Sequence, residues 1–134
     1  MVIDDLSRAS VNELLACKGW QNRYKMLLGW SKLLSHKPDI RLDENIVKGC
    51  ALQTWLTHQS RDNHHYFAVD SDSRIVKGLA VLLLLQMNGK TTQEIRMLDI
   101  EALMQELDLA KHLSPSRGNG FKALLDKALQ WVEQ

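Results

Sequence analysis

The chain has 134 residues, 45% hydrophobic and 25% charged, with 17 Lys plus Arg against 16 Asp plus Glu and a formal charge of +1. That is the balance of one soluble globular domain, long enough to bury roughly two-thirds of its unfolded surface without staples. Near-neutral, interspersed charge excludes a nucleic-acid binder that works by bulk basicity, and the longest apolar run, Leu79 to Leu85, is seven residues against the roughly 20 of a membrane span.

Met1-Val2-Ile3-Asp4-Asp5 lacks the positive charge and apolar stretch of a secretory leader, so none is expected. The two cysteines, Cys17 and Cys50, are too few for a secreted disulfide scaffold. No CxxC occurs, and no His or Cys stands at zinc-ligand spacing from either thiol. A cytoplasmic protein with reduced thiols and no metal is expected. Two prolines and seven glycines give little material for a linker. No repeat or low-complexity tract is present, so residues 1–134 read as a single domain.

Ser10 and Glu13 have capping-box spacing before Leu14 and Leu15, which predicts a short helix ending near Gly19. Trp20, Tyr24, Leu27, Leu28 and Leu34 have helical period, stopped by Ser35-His36-Lys37-Pro38. The polar stretch 39–45 reads as a loop. At Ile46 the period changes. Leu52, Thr54 and Leu56 alternate with Gln53, Trp55 and Thr57, and Ser60-Arg61-Asp62-Asn63 supplies a turn. This predicts a hairpin of about 51–59 against 64–70, with Ile46-Val47 as a third short strand.

Asp70-Ser71-Asp72-Ser73 opens a helix through residue 87 that is apolar on most sides, hence central. Thr91 and Glu94 form a second capping box, and Asp99 caps a further helix. Ser114 to Gly120 reads as a loop. Phe121, Leu124, Leu125, Ala128 and Val132 mark the last helix. Helices, hairpin, helices is the order of an α+β fold: helices packed on a small three-stranded antiparallel sheet.

Cys50 is the foremost candidate for chemistry. It follows Gly49, whose permissive backbone can hold the next side chain at a turn tip, and Lys48 can favour the thiolate. On local sequence alone it reads first as a small buried hydrophobe and second as a reactive thiol. Cys17, beside Leu14, Leu15 and Trp20, reads as inert core. Neighbouring residues on a strand face opposite ways, so His64 and His65 diverge rather than form a metal pair, and they read as a solvated hairpin end. His36, His58 and His112 read as surface singles. The stretch 114–120 offers backbone N–H groups and the Arg117 guanidinium, which suit an anion or a partner carboxylate.

The run Val47-Lys48-Gly49-Cys50, with Gln53 and Trp55-Leu56 after it, resembles the cysteine motif of the SufE-like sulfur acceptors. The segment 70–79 and the segment 112–120 are similar to two further motifs of that family. Trp20, Arg23-Tyr24 and Leu27-Leu28 match its first long helix. The match spans nearly the whole chain in order, and 89–91 and 107–109 lie nearer the CsdE branch. Where the family has polar residues after the cysteine, this chain has Ala51 and Leu52, so apolar packing is expected to hold the loop.

The resemblance implies a SufE/IscU-like fold and a persulfide acceptor at Cys50. It implies a partner, a SufS- or CsdA-type PLP-dependent cysteine desulfurase that this chain stimulates, and delivery of the sulfur to iron–sulfur cluster assembly. PLP would reside in the partner, and no cofactor or metal in this chain. The matching motifs also suggest a docking surface of Gly49, Lys48, Asp72 and Arg117 around Cys50. Asp72 also reads as the cap of the central helix. Scaffolding a cluster would need several cysteines at one site. Two alternatives stay open. One is a binding module that activates a desulfurase without carrying sulfur. The other is a cysteine hydrolase, for which the nearest base in sequence, His58, would stand about 26 Å away along an extended strand.

Overall fold

A computed structural model describes residues 1–50 and 52–134. Its hairpin pairs β1 (Thr54–Arg61) with β2 (His64–Ser71), in a register that sets Trp55 opposite Asp70 and Arg61 opposite His64. Asp62 and Asn63, at φ 50° and 64°, make a two-residue turn. Positive φ at both central positions matches the twist of the strands, and Asp and Asn tolerate it. The turn is therefore shorter than the expected 60–63, and β1 runs two residues further toward it while β2 starts at His64 as expected.

The third strand is not Ile46-Val47. It is β3 (Lys90–Thr91), antiparallel on the other side of β2, in the order β1-β2-β3. Ile46 makes only an isolated bridge to Trp55. Gly89, at φ 76°, lets the chain reverse, and its N–H donates to the His65 carbonyl at 2.8 Å. The strand that follows the glycine thus falls on the free edge of β2.

Before the sheet come α1 (Val11–Ala16) and α2 (Trp20–Trp30). After β2 comes α3 (Arg74–Met87), capped by Ser73, whose Oγ accepts from the Val76 N–H at 3.2 Å. Asp70 and Ser71 belong to β2, so this helix starts later than expected, and Asp72 does not cap it. Ile75, Val76, Leu79, Leu82, Leu83 and Met87 are all buried, as a helix apolar on most sides requires. Packed against α2, β2 and α7 (Pro115–Val132), α3 is the centre of the core. At Gly78 the backbones of α2 and α3 nearly touch: a Cβ there would lie 2.1 Å from the Leu27 carbonyl oxygen.

Short helices α4 (Thr92–Arg96), α5 (Ile100–Glu106) and α6 (Leu109–His112) connect the sheet to α7. Thr91 and Glu94 make the expected capping box in both directions, and Asp99 caps α5. The expected loop 114–120 is instead the first turns of α7. Ser114 is its N-cap and Pro115 its first residue, a pairing in which neither side chain nor ring costs the helix a bond.

Asp70 ties the segment after α2 to the sheet. Its buried carboxylate accepts from the Lys37 N–H at 3.0 Å, from Arg41 Nε at 2.9 Å and from the Ser71 N–H at 3.0 Å. Lys37 Nζ is buried too, donating to the Ser35 and Val69 carbonyls and paired with Asp4. Burial works to raise the Asp70 pKa, but Arg41 and the two amides outweigh it and hold the carboxyl below its ordinary value. A depressed carboxylate stabilises the fold fully above its unfolded pKa of about 3.9 and progressively less as pH falls below that. Melting temperature should therefore drop steeply below about pH 4, and Asp70→Asn, although less stable at neutral pH, should show a shallower drop. Parallel slopes for the two proteins would remove Asp70 as the cause.

Candidate functional site

Gly49 adopts φ 99°, a turn that the residue after it exploits. Cys50 leaves that turn outside any helix or strand and is half-buried, packed on the edge of the core. Its Sγ lies 3.5 Å from the Gly120 carbonyl of α7. Burial pushes the thiol pKa up, and the Thr54 side chain opposes this more weakly.

The thiol opens on a cleft of about 320 Å³. Leu52 flanks Cys50, Ser73 and Val76 come from the start of α3, and Ser114, Ser116, Arg117 and Gly120 come from the start of α7. Two helix beginnings thus meet one sulfur. Arg117 is exposed, and its guanidinium carbon lies 5.8 Å from the centre of the Tyr24 ring. Trp20, Tyr24 and His112 continue the surface beyond it, with Trp20 and His112 stacked at 5.0 Å.

Of the residues expected around Cys50, Gly49 and Arg117 stand next to the thiol or in its cleft. Lys48 does not line it. Its side chain faces the neighbouring groove beside Asp43, Glu44, Asp126 and Lys127, where burial and the Lys48 charge lower the Lys127 pKa. Asp72 also stands apart. Its carboxylate binds Arg41 at 2.9 Å, and Arg41 lies over the Trp55 ring at 4.3 Å. The Asp72 N–H donates to the Gln53 carbonyl at 2.9 Å, which anchors the residue just before β1. Leu52 is exposed, while Ala51 lies outside the described residues. Ser73, Val76 and Ser116 fall within the matching segments 70–79 and 112–120, but nothing in the sequence singles them out individually for the cleft. Gly120 carries a signal, a glycine on the apolar face of a helical period.

Cys17 departs from expectation. It is half-buried at the C-terminus of α1 and does not pack into the core, because the chain turns there for α2. Its carbonyl accepts from Arg23 Nε at 3.1 Å. His64 and His65 diverge as the strand period requires, but His65 is buried. Its Nδ1 lies 2.8 Å from His58 Nε2 and its Nε2 lies 2.7 Å from Thr92 Oγ1. His58 stacks on Trp131 at 5.6 Å, so it is no surface single. The cause is the register: His58 and His65 share one face of the hairpin, and α4 and α7 cover it. Burial and mutual repulsion lower the pKa of His58. Among the described residues no histidine lines the cleft.

The family model for SufE, the Fe-S metabolism associated domain, matches residues 8–131. An uncharacterised SufE-like protein of Rhizobium meliloti (strain 1021) is 35% identical over 111 residues, covering 79% of each chain. The solution structure of a hypothetical protein from Thermus thermophilus superposes with a TM-score of 0.73, covering 98% of this chain and 96% of that one at 15% identity, and so shares the fold. No described helix is long and apolar enough to cross a membrane. The motifs, the α+β architecture and these matches together establish that the chain belongs to the SufE family, whose domain is associated with Fe–S metabolism.

Proposed function

We propose that this chain accepts sulfur from a PLP-dependent cysteine desulfurase onto Cys50, stimulates that enzyme, and passes the sulfur on to iron–sulfur cluster assembly. The observation that carries the reading is the Cys50 thiol at a cleft between the starts of α3 and α7, with Arg117 on its wall. In the transfer, the Cys50 thiolate attacks the outer sulfur of a persulfide on the partner. The partner's S–S bond breaks, its cysteine leaves as a thiolate, and Cys50 carries the new S–S bond. The sulfane sulfur moves without net oxidation. PLP belongs to the partner. Both cysteines are free, which suits the reducing cytoplasm in which we place the protein.

A thiol raised above its ordinary pKa is mostly protonated at neutral pH, so docking must favour the thiolate. Among the described residues Arg117 is the cation lining the cleft, and it is exposed for a partner carboxylate as well. Incubation with a cysteine desulfurase, PLP and free cysteine, followed by intact-protein mass, should show additions of one sulfur atom at a time. Arg117→Ala should reduce stimulation about fivefold, the effect of roughly 1 kcal/mol at an interface. Its melting temperature should stay close to wild type, because the side chain is exposed. A drop in stability with stimulation intact, at equal folded fraction, would make Arg117 a structural residue.

A further inference from the structure

Gly120 lies inside α7, where glycine costs a helix stability relative to alanine. The same helix carries Gly118, and the two differ in what they face. Nothing lies within 4 Å of a Cβ built on Gly118. A Cβ on Gly120 would stand 3.3 Å from Cys50 Sγ and 3.9 Å from Cys50 Cα and Cβ. The Gly120 carbonyl receives the same thiol at 3.5 Å.

We infer that Gly120 is a positioning residue for Cys50: its missing side chain leaves an alcove on α7 where the thiol rests with S–H turned to the Gly120 carbonyl. The part that Cys50 plays in sulfur transfer rests on the carrier reading above; the placement of the thiol does not. A methyl carbon at 120 would stand 3.3 Å from the sulfur, so one side must give by a few tenths of an ångström. Gly120 is fixed in an 18-residue helix, whereas Cys50 lies outside regular structure, so Cys50 is the side that yields. Shifted outward by that much, the thiol loses some of its burial and some of its bond to a partner that can only accept. Both losses favour S⁻ over S–H. Gly120 thus keeps the resting thiol protonated and withdrawn.

The test compares Gly120→Ala with Gly118→Ala in the free protein, on a Cys17→Ser background so that one thiol reports. Alkylation of Cys50 by iodoacetamide is followed between about pH 6 and pH 10, a range that spans cysteine ionisation. Gly118→Ala should titrate as the parent does. Gly120→Ala should shift the midpoint down by about half a unit or more, giving roughly threefold more thiolate and faster alkylation at neutral pH. An unchanged midpoint and rate overturn the inference. Melting adds an independent arm. Any loss of melting temperature from Gly120→Ala should shrink when Cys50→Ala removes the sulfur; an equal loss in both backgrounds also overturns it. Alkylation needs no desulfurase, so a failure here is distinct from a failure of wild-type protein to load sulfur.

Discussion

Cys50→Ser should fold as wild type does and gain no sulfur from a cysteine desulfurase. Serine fills nearly the volume of cysteine, and its hydroxyl can still donate to the Gly120 carbonyl that the thiol now faces. Its oxygen is a far weaker nucleophile at neutral pH than a thiolate, so loading should fall below detection rather than merely slow. Cys17→Ser is the control. That side chain is half-buried and outside the core, so the change should cost less than about 1 kcal/mol and leave loading intact. Sulfur on the Cys50→Ser protein would sink the assignment. Full stimulation of the desulfurase by that unloaded variant would instead favour a module that activates without carrying sulfur.

Local signals made most of the fold legible. Ser10, Thr91 and Asp99 cap the helices their spacing predicts, because a cap is a bond between residues three apart and needs no tertiary context. The all-round apolar pattern of α3 placed it at the centre for the same reason. What failed was long-range or depended on a single φ. The edge strand at Lys90–Thr91 exists because Gly89 reverses the chain onto β2, and two residues carry no strand period. Ser114 to Gly120 looked like a loop because it holds Pro115 and two glycines. Proline is at home in a first turn, and Gly120 is there to make room for a sulfur 70 positions earlier in the chain. The buried His58–His65 pair escaped for a related reason: strand alternation puts both on one face, but only packing of α4 and α7 says that this face is covered. In the site itself, Cys50, Gly49 and Arg117 were readable from motifs. Ser73, Val76 and Ser116 were not singled out within their segments, because their part in the cleft comes from where α3 and α7 begin in space.

Gly78→Ala should destabilise the protein by about 3 kcal/mol, the upper end for overpacking a core, and lower its melting temperature by about 10 °C. In an isolated helix this change is favourable by roughly 1 kcal/mol, so tertiary packing must reverse its sign. The new Cβ would sit 2.1 Å from the Leu27 carbonyl oxygen and 2.7 Å from its carbon. Those are backbone atoms of α2 and cannot rotate aside as a side chain would, so the two helices must separate. Separation opens buried core, since Leu27 of α2 and Leu79 of α3 are both fully buried. Gly29→Ala supplies the opposite case. Gly29 lies in α2, exposed, with nothing within 4 Å of its missing Cβ. There the helical preference acts alone, and a gain of about 0.5–1 kcal/mol is expected. Chemical denaturation of the two variants with wild type decides the matter. A Gly78→Ala protein within about 0.5 kcal/mol of wild type would mean that α2 and α3 do not touch at their backbones. The effect should reach the site as well. α3 carries Ser73 and Val76 into the Cys50 cleft, so a shift of this helix moves one wall of it, and Gly78→Ala should load sulfur more slowly even where it is fully folded.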